Sequence, residues 1–286
     1  MIILSYNSAL TIGATLAAAA RVSHDIQMVD SGSTDETLAI ARASVPSLAI
    51  HHHPFVTYGE QRNWASATLP IKGDWELHLD ADEELSEGLI RELNQLQAAT
   101  TEPGLDGYLI PRKVIFMGRA ITHGGMYPIW HLRLFRRGQG RCEMRLYDQH
   151  FILGTKRLGR LHQPMMDRIA MGLSEWTDRH NRWSSSEAAE QLRHDSKTRP
   201  REITPRFLGT AIEQKRAFRS AYDRLPIFLR CWLLFFYRYI LKLGFLDGRE
   251  GLIFFVLQSF WFRFLVDAKI YESKITHGDR NSRKTL

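Results

Sequence analysis

The sequence predicts an α/β protein with a mostly parallel sheet flanked by helices, followed by a C-terminal amphipathic helical region. Three observations lead to this prediction. Short apolar segments alternate with helical segments over the first 100 residues, two of these segments end in aspartate, and cations interrupt an apolar, aromatic region after residue 225. A chain of 286 residues with 44% hydrophobic content is long enough for a packed domain with a substantial extension.

The alternation begins at the first residues. The predicted strands cover residues 2–4, 26–29, 48–51 and 75–79, and the predicted helices cover residues 10–20, 36–43, 60–67 and 86–97. Ser33, Thr34 or Asp35 is expected to cap the second helix and Ser86 the fourth, because their oxygens accept from the first N–H groups of a helix. Short strands alternating with helices indicate parallel βαβ units, in which ligands bind beyond the carboxyl ends of the strands.

The middle of the chain changes character. Residues 107–110 and 131–135 are predicted to form strands around a loop rich in glycine, histidine and aromatic residues, as in a β-rich insert over an active site. Residues 173–192 have a helical pattern. Residues 197–205 are charged, contain proline and are predicted to be a linker or loop.

Residues 226–244 and 252–268 are dense in leucine, phenylalanine and tryptophan. Arg230, Arg238, Lys242 and Arg263 interrupt them, so the apolar runs are shorter than the roughly 18 residues of a spanning helix. Cations among aromatic residues are typical of a helix pair that lies in the plane of a membrane surface. The alternatives are helices that only pack on the preceding domain, and a re-entrant or spanning hairpin.

The formal charge of +7 is concentrated toward the C-terminus. From residue 193 onward there are 19 Lys+Arg against 9 Asp+Glu, whereas the preceding residues carry 19 against 22. Such a basic region seeks phosphate, on anionic lipid or on nucleic acid. Cys142 and Cys231 are far apart without CxxC spacing, which argues against a disulfide framework or zinc knuckle and favours a reducing cytosol. The N-terminal MIILSYN has no basic region and predicts no signal peptide.

Two acidic segments follow predicted strands. Asp80 and Asp82 are one residue apart, and their carboxylates are suited to Mg²⁺ or Mn²⁺ with phosphate oxygens completing the ligand shell. Such a pair is also common at solvated strand ends. Asp30 begins the segment VDSGSTDET (29–37), where an aspartate, small hydroxyl residues and a glycine are suited to a base or ribose edge and to phosphate. Helix capping is the alternative, although Asp30 precedes the helix by too many residues to cap it.

Several segments together resemble glycosyltransferase family 2, in the bacterial branch that includes lipopolysaccharide inner-core glucosyltransferases. They are Ser5-Tyr6-Asn7, VDSGSTDET (29–37), YGEQRNWA (58–65), GDWELHLDADEEL (73–85), FMGRAITHGGMYP (116–128) and HLRLFRRGQGRCEMRLYDQH (131–150). The resemblance implies a Rossmann-like GT-A fold, a nucleotide-diphosphate sugar donor (a UDP-sugar is favoured), Mg²⁺ or Mn²⁺, and inversion at the anomeric carbon.

Carried over position by position, the resemblance assigns roles to particular residues. It places Ser5, Tyr6 and Asn7 in the base pocket, Asp30 near the base or ribose, and Gln61, Arg62 and Asn63 beside the nucleotide or donor sugar. Arg62 is alternatively a surface helix residue. Asp82 is expected to bind the metal, and Asp80 to contact ribose or the metal. His150 is either a third metal ligand or structural.

An inverting transferase also needs a general base for the acceptor hydroxyl. The resemblance offers two candidates for this base, Asp148 and Glu143. A third possibility is that the base is neither of them, because Leu146-Tyr147-Asp148 departs from the Val-His-Glu of many relatives. The expected acceptor contacts are His123, Gly125, Tyr127 and Arg133. For the aromatic loop around His123 and Tyr127, simple packing is the alternative.

The resulting hypothesis is a transferase that glycosylates a lipid-linked or lipopolysaccharide acceptor at an anionic membrane surface, on the cytoplasmic face of the inner membrane, without a nucleic-acid partner. The predicted parts are a catalytic domain (1–170, with donor half 1–100 and acceptor half 101–170), a helical region and linker (171–225), and membrane-associating helices with a basic tail (226–286). The alternatives are a nucleotidyltransferase, disfavoured because the N-terminal loop has no lysine, and a non-catalytic RNA- or membrane-binding protein.

Overall fold

The computed structural model of the chain describes residues 1–98, 104–146, 148–155, 157–195 and 211–282, together with residues 203, 206, 208 and 209. The chain forms two compact units. We call Met1–Thr122, Met126–Met144 and Gln149–Ala170 the N-terminal unit, and His123–Gly125, Arg145–Asp148 and Met171–Leu286 the helical unit. The linker predicted over residues 197–205 lies outside the described residues, apart from residue 203.

The N-terminal unit is built on one large sheet. Its spatial order is β3-β2-β1-β4-β8-β6-β12-β5, with β7 and β11 both paired to β6, while β9 and β10 form a separate hairpin. The strands are β1 (Ile2–Ser5), β2 (Gln27–Asp30), β3 (Ala49–His52), β4 (Trp75–Asp80), β5 (Glu83–Leu85), β6 (Gly107–Phe116), β7 (Arg119–Ile121), β8 (Ile129–Arg136), β9 (Gly140–Cys142), β10 (Phe151–Leu153), β11 (Leu158–Arg160) and β12 (Met165–Ile169).

Helices cover both faces of the parallel strands, which explains why β1 and β2 are buried along their whole length. The helices are α1 (Ile12–Ala20), α2 (Thr37–Ser44), α3 (Tyr58–Thr68) and α4 (Glu87–Ala98). Ile3 and Met28 pack in the core that includes α1, whereas Ile2 and Val29 pack with Ala65 of α3 in a second core. Thr57 caps α3 by accepting from the Glu60 N–H at 3.1 Å.

The α/β, GT-A-like arrangement predicted for this region is confirmed. Strands β1 to β4 pair in parallel and in the predicted order of βαβ units. The sheet becomes mixed beyond β4, because β8 pairs antiparallel to both β4 and β6. Strands β5, β7 and β9 to β12 were not predicted, and β6 extends to Phe116 rather than ending at residue 110.

The helical unit contains five helices among its described residues. They are α5 (Leu173–Asp195), α6 (Ala211–Asp223), α7 (Leu229–Phe236), α8 (Gly248–Phe255) and α9 (Phe262–Ser282). A π-helical turn, Tyr237–Leu241, extends α7, and a second one, Val256–Trp261, joins α8 to α9. A short 3₁₀ turn, Gly244–Asp247, precedes α8. The cations predicted to interrupt an apolar surface do not all lie at a surface in this unit. Arg230 is fully buried and binds Asp267.

One face of α7 and its π-helical turn is apolar and exposed. Its side chains recur at spacings of three and one, as on one side of a helix, and each is at least 41% exposed. We call this the apolar stripe: Leu229, Trp232, Leu233, Phe236, Tyr237, Ile240 and Leu241. A contiguous exposed apolar surface of this kind is typical of an interaction site.

Within the described part of the chain, one continuous helical stretch is long and apolar enough to cross a membrane. It is Gly244–Thr276, 33 residues in length. Length and composition alone identify it, and buried core helices of soluble proteins pass the same test. An apolar C-terminal helix compatible with membrane association is therefore present.

Candidate active site

The acidic segment predicted to bind metal forms a tight turn between β4 and β5. Asp80 is the last residue of β4, and Asp82 lies half-buried in the turn. Neighbouring elements hold the turn through its backbone: Ala81 N–H donates to Leu4 of β1 at 3.0 Å, and Ala81 C=O accepts from the Thr15 hydroxyl of α1 at 2.9 Å. Arg168 N–H of β12 donates to the Asp82 carbonyl at 2.9 Å. The position of Asp82 is therefore set by three elements of the sheet region.

Asp80 lies in a buried network of ion pairs. Arg62 of α3 donates to one of its carboxylate oxygens at 2.6 Å, and Arg133 of β8 donates to the other at 2.9 Å. Arg133 also donates to Glu83 at 2.5 Å, and Glu83 accepts from the Asp80 N–H at 3.0 Å. Both arginines are less than 10% exposed. Charge-assisted bonds from two directions therefore fix the Asp80 carboxylate.

The pKa values of the two carboxyl groups in this network, Asp80 and Glu83, are shifted in opposite directions. Burial raises the pKa of Asp80, but attraction to Arg62 and Arg133 outweighs it and holds that pKa well below its usual range. For Glu83 burial dominates, and with repulsion from Asp80 it raises the pKa despite attraction to Arg133. Asp80 is therefore ionised at neutral pH, and its charge is balanced within the protein.

Asp30, at the carboxyl end of β2, organises the loop that follows it. It is fully buried, and it accepts from the Ser5 hydroxyl at 3.0 Å, the Ser33 hydroxyl at 2.5 Å, and the N–H groups of Gly32 and Ser33 at 2.9 Å each. Gly32 has φ +88°, a conformation that favours glycine. The structure thus gives Asp30 a role in shaping the loop between β2 and α2. Contact with a base or ribose stays a prediction.

The loop after β1 is bonded to the loop after β2. Asn7 N–H donates to the Ser33 hydroxyl at 2.9 Å, and the Asn7 side chain accepts from Thr34 N–H at 2.8 Å. Asp35 accepts from Ala9 N–H at 3.1 Å and from Thr37 N–H at 3.0 Å, so it joins the two loops and holds the first turn of α2. Tyr6 is 57% exposed at this edge. The predicted base-pocket residues Ser5, Tyr6 and Asn7 therefore lie in one bonded pair of loops.

The three α3 residues predicted beside the donor have different surroundings. Gln61 is buried and donates to the Ser31 hydroxyl at 3.1 Å, which connects α3 to the loop after β2. Arg62 binds Asp80, as described above, and is not a surface residue. Asn63 exchanges two hydrogen bonds with the backbone of Cys142, at 3.0 and 2.7 Å, and so attaches α3 to β9.

The two candidate bases lie in different units. Glu143, in the N-terminal unit, is 1% exposed, and its carboxylate accepts from the His150 N–H at 3.0 Å. His150 Nδ1 lies 3.4 Å from the same carboxylate. Asp148, in the helical unit, has φ +56° and forms ion pairs with Arg216 at 3.1 Å and Lys215 at 2.9 Å. Its carboxylate is therefore held by two cations of α6.

The predicted acceptor residues are also divided between the units. Tyr127 and Arg133 belong to the N-terminal unit, where Lys113 Nζ lies 4.8 Å from the centre of the Tyr127 ring. His123 and Gly125 belong to the helical unit. There, Asp247 accepts from His123 N–H at 3.0 Å and contacts His123 Nδ1 at 2.7 Å. Asp247 is buried and was missed from sequence, because it lies 124 residues away in an apolar segment.

The structure does not bring all the predicted metal ligands into one cluster. Within the described ranges, no three His, Cys, Asp or Glu side chains are grouped so that they could hold a metal ion. Asp80, Asp82 and His150 therefore do not form a ready-made three-residue site. The oxygens of Asp80 are engaged by two arginines, which leaves Asp82 as the better-suited ligand. Mg²⁺ usually takes only one or two protein carboxylates together with water and substrate phosphates, and the turn fits that mode.

The two glycines after His123 allow a matched test of loop packing. Both have positive φ, +64° at Gly124 and +70° at Gly125, but a Cβ at Gly124 would lie 2.1 Å from the Phe255 ring while one at Gly125 would meet nothing within 4 Å. We expect Gly125→Ala to cost about 1–2 kcal/mol from backbone strain alone. Gly124→Ala should cost about 1–3 kcal/mol more because of overpacking. Urea unfolding of both variants measures the difference, and equal losses would contradict the packing.

A buried histidine two residues before Asp80 predicts acid sensitivity. His78 packs against the rings of Phe135 and Phe151, and burial lowers its pKa to about 4 despite bonding to Glu76. The unfolded chain therefore binds this proton near pH 6.5 and the folded chain only near 4. The contribution of His78 to the free energy of unfolding is full above pH 6.5. Between pH 6.5 and 4 it falls by about 1.4 kcal/mol for each pH unit.

Urea unfolding between pH 7 and 5 checks this expectation. His78→Gln should flatten the slope, whereas a matched change at exposed His162 should not. His180 in the helical unit, whose pKa burial also lowers to about 4, should leave a residual slope in the first variant. An unchanged slope in His78→Gln would show that His78 does not carry the effect.

The sequence is similar to known glycosyltransferases. Residues 1–158 match the sequence profile of Glycosyl transferase family 2. The lipopolysaccharide core biosynthesis glycosyltransferase LpsC of Rhizobium meliloti (strain 1021) is 25% identical over 252 residues, which cover 87% of this chain and 83% of that protein. An uncharacterized glycosyltransferase of Rickettsia bellii (strain RML369-C) is 31% identical over 149 residues, 52% of this chain and 45% of that protein.

Solved structures give more distant similarities. Staphylococcus aureus TarS 1–349 in complex with UDP-GlcNAc is 12% identical with a TM-score of 0.45, covering 97% of this chain and 91% of that one. Mycobacterium tuberculosis glucosyl-3-phosphoglycerate synthase, with Mn²⁺, UDP-glucose and phosphoglyceric acid, is 20% identical with a TM-score of 0.30, covering 37% and 40%. The profile match, by contrast, covers more than half of the chain and includes β1, the Asp30 loop and the acidic turn. This chain belongs to glycosyltransferase family 2.

Proposed function

We propose that this glycosyltransferase is an inverting, metal-dependent enzyme that moves a sugar from a UDP-sugar to a lipid-linked or lipopolysaccharide acceptor. The observation that carries the proposal is the acidic turn at the end of β4. There, Arg62 and Arg133 fix the Asp80 carboxylate, while three backbone hydrogen bonds hold the neighbouring Asp82 turn. This edge also carries the bonded loops after β1 and β2, because β4 and β2 both pair in parallel with β1.

The donor is proposed to lie along this edge. Tyr6 offers an exposed ring for a nucleobase. Ser5, Asn7 and Asp30 join the loops after β1 and β2 by hydrogen bonds, and Gln61 connects α3 to the second loop. Arg62 and Asn63 act from α3, the first by orienting Asp80 and the second by holding α3 against β9. The relatives' names support a sugar donor, and a neighbour solved with UDP-glucose is compatible with UDP as its nucleotide.

Mg²⁺ or Mn²⁺ would be held by Asp82, with Asp80 beside it on the ribose side. When bound, the metal would neutralise charge that develops on the departing diphosphate. Asp80 is better suited to electrostatic orientation than to direct ligation, since both its oxygens accept from arginines. His150 is bonded to Glu143 and is proposed to be structural.

Inversion requires one displacement. An acceptor oxygen forms a bond to the anomeric carbon, the bond from that carbon to the diphosphate oxygen breaks, and a carboxylate takes the acceptor proton. Asp148 is the proposed base and Glu143 the alternative. His123, Gly125, Tyr127 and Arg133 stay proposed acceptor residues, with Arg133 acting through Asp80 and Glu83.

The proposed location is the cytoplasmic face of the inner membrane. The apolar stripe and the basic C-terminal region support attachment to an anionic lipid surface, because exposed rings insert among acyl chains while cations meet phosphates. The name of LpsC is compatible with an acceptor of the lipopolysaccharide class. A nucleic-acid partner is not part of the proposal.

A donor screen tests the proposal. Purified protein is incubated with Mg²⁺ or Mn²⁺ and UDP-, GDP- or dTDP-sugars, and release of the nucleoside diphosphate is followed with and without lipopolysaccharide precursors. We expect acceptor-stimulated release from a UDP-sugar, and loss of the stimulation in Asp148→Asn if Asp148 is the base. Loss in Glu143→Gln alone would move the base to Glu143. No release from any sugar nucleotide would overturn the proposal.

A further inference from the structure

Arginines from three helical segments of the helical unit lie close enough to repel one another, and two of them share one carboxylate. They are Arg219 of α6, Arg238 of the first π-helical turn and Arg263 of α9. Glu187 of α5 binds two of them through a single oxygen, since Arg219 and, at 2.5 Å, Arg263 both donate to Oε1. Arg219 also donates to both oxygens of Asp223, at 3.0 and 3.2 Å. We call these three arginines, with Tyr222 and Glu187, the arginine cluster.

The charge of the arginine cluster is not locally balanced. Burial and then repulsion from Arg263 lower the pKa of Arg238 to about 10, and the same two causes lower the pKa of Arg219. An arginine loses basicity only where the surrounding potential is positive or the site is dry. An added anion would offset the repulsion between these guanidinium groups.

Hydrogen-bonding capacity is also left over. Arg263 Nε and the Tyr222 hydroxyl are buried and have no hydrogen-bond partner among the described residues, and the same is true of Glu187 Oε2. The Arg219 guanidinium lies 5.8 Å from the centre of the Tyr222 ring. Buried polar groups are nearly always satisfied in native proteins, so the unused donors of Arg263 and Tyr222 favour binding of an anionic group with several oxygens.

The backbone around the cluster is irregular in a way that favours a binding site. Arg238 and Ser259 each lie in a π-helical turn, and the Arg238 guanidinium approaches the Ser259 hydroxyl at 3.5 Å. π-helical turns are rare and are frequent at functional sites. Arg238 therefore lies in one π-helical turn and contacts the other.

The chemistry of the neighbouring surface identifies the source of the anion. Arg238 belongs to the short helical segment that also carries the exposed side chains of Trp232, Phe236 and Tyr237, so a cation and an apolar surface occur on one segment. A phosphate attached to acyl chains matches both features. The side chains of Arg219 and Arg263 are 23% and 16% exposed, which leaves them within reach of a ligand.

We propose that Arg219, Arg238 and Arg263 form a binding site for the phosphate group of a lipid, whose acyl part lies along the apolar stripe. This deepens the proposed function at a membrane surface and rests on it. It differs from general attraction between a basic region and anionic lipid, because particular guanidinium groups bind the phosphate oxygens.

Vesicle flotation of the full chain tests this assignment. The probes are phosphatidylcholine vesicles containing phosphatidic acid or oleate, matched for surface charge, so that the anionic group is a phosphate in one and a carboxylate in the other. We expect preference for phosphatidic acid. Arg263→Gln and Arg238→Gln should each weaken that binding about tenfold and remove the preference, because bonds from a guanidinium to phosphate are charge-assisted. Arg263→Lys, which keeps the charge but loses the planar fork, should also lose preference.

Matched controls are Arg224→Gln and Lys274→Gln, which remove the same charge at exposed positions of the same unit. Each should weaken binding about fivefold at most and keep the preference. Equal losses in test and control variants, or equal binding to both vesicles, would overturn the site in favour of general electrostatics. Circular dichroism verifies folding, and if Arg263→Gln is unfolded, Arg238→Gln decides.

Two further measurements distinguish lipid phosphate from free phosphate, and the lipid site from the proposed glycosyltransferase activity. Inorganic phosphate that displaces the wild type from phosphatidic acid vesicles would support the site. Stabilisation by inorganic phosphate, without any effect of the variants on vesicle binding, would assign the cluster to free phosphate and overturn the lipid. Donor turnover by the wild type in lipid-free buffer is measured separately, so a failed glycosyltransferase proposal is distinguishable from a failed lipid site.

Discussion

Asp82→Asn is expected to abolish sugar transfer while leaving the N-terminal unit folded. Asp82 lies half-buried in a turn whose backbone is held by Leu4 and Arg168, and those bonds do not involve its side chain. Loss of the carboxylate would remove the proposed metal ligand. With several kcal/mol of transition-state stabilisation at stake, transfer should fall by about 10³-fold or more. Product formation at saturating Mn²⁺ measures it, and retention of activity within tenfold of wild type would contradict the metal mechanism.

Asp80→Asn is the matched control, since it removes the other carboxylate of the same pair. It should lose stability as well as activity, because Arg62 and Arg133 would both remain buried with only Glu83 between them. Removing one partner of a fully buried ion pair costs about 3–5 kcal/mol, and the cost here should be smaller because the Asp80 side chain is 30% exposed. Urea unfolding should therefore separate the two variants clearly. Equal stability would mean that the arginines do not depend on Asp80.

These aspartates show which features of the site can be predicted from the sequence and which cannot. Local patterns place Asp30 and Asp80 at the ends of β2 and β4, because strand length and apolar character depend on nearby residues. The partners of Asp80 are Arg62 and Arg133, which lie 18 and 53 residues away. Which cation reaches which carboxylate depends on the pairing of β8 with β4 and on the packing of α3. No local pattern contains that information.

The same reasoning applies to the C-terminal segments. Their composition predicts amphipathic helices, and the helices are present. Composition does not predict that Arg230 is buried while the apolar stripe is exposed. It also does not predict the π-helical turns that contain Arg238 and Ser259. These features arise from packing among helices, where a buried ion pair decides the rotation of α7.

Asp267→Asn, which breaks that ion pair, is expected to destabilise the helical unit by about 3–5 kcal/mol. Arg230 and Asp267 are each at most 2% exposed. One oxygen of Asp267 accepts from Arg230 Nε at 2.8 Å, and the other accepts from the N–H of Phe228 at 2.8 Å, a residue held at φ +66°. The substitution would remove the nearest counterion of a buried guanidinium, leaving Asp223 at 3.6 Å, and would loosen a strained residue at the start of α7.

Asp223→Asn is the control, because its carboxylate is about one-third exposed and exposed pairs contribute about 1 kcal/mol or less. The double variant Arg230→Met with Asp267→Leu completes the test. A hydrophobic pair of similar volume often replaces a buried ion pair without loss, so stability should return to near the wild-type value. If the double variant instead remains as unstable as Asp267→Asn, then the cost comes from the Phe228 bond and not from the unpaired charge. Unfolding of all three variants by urea, at one detergent concentration, distinguishes the two causes.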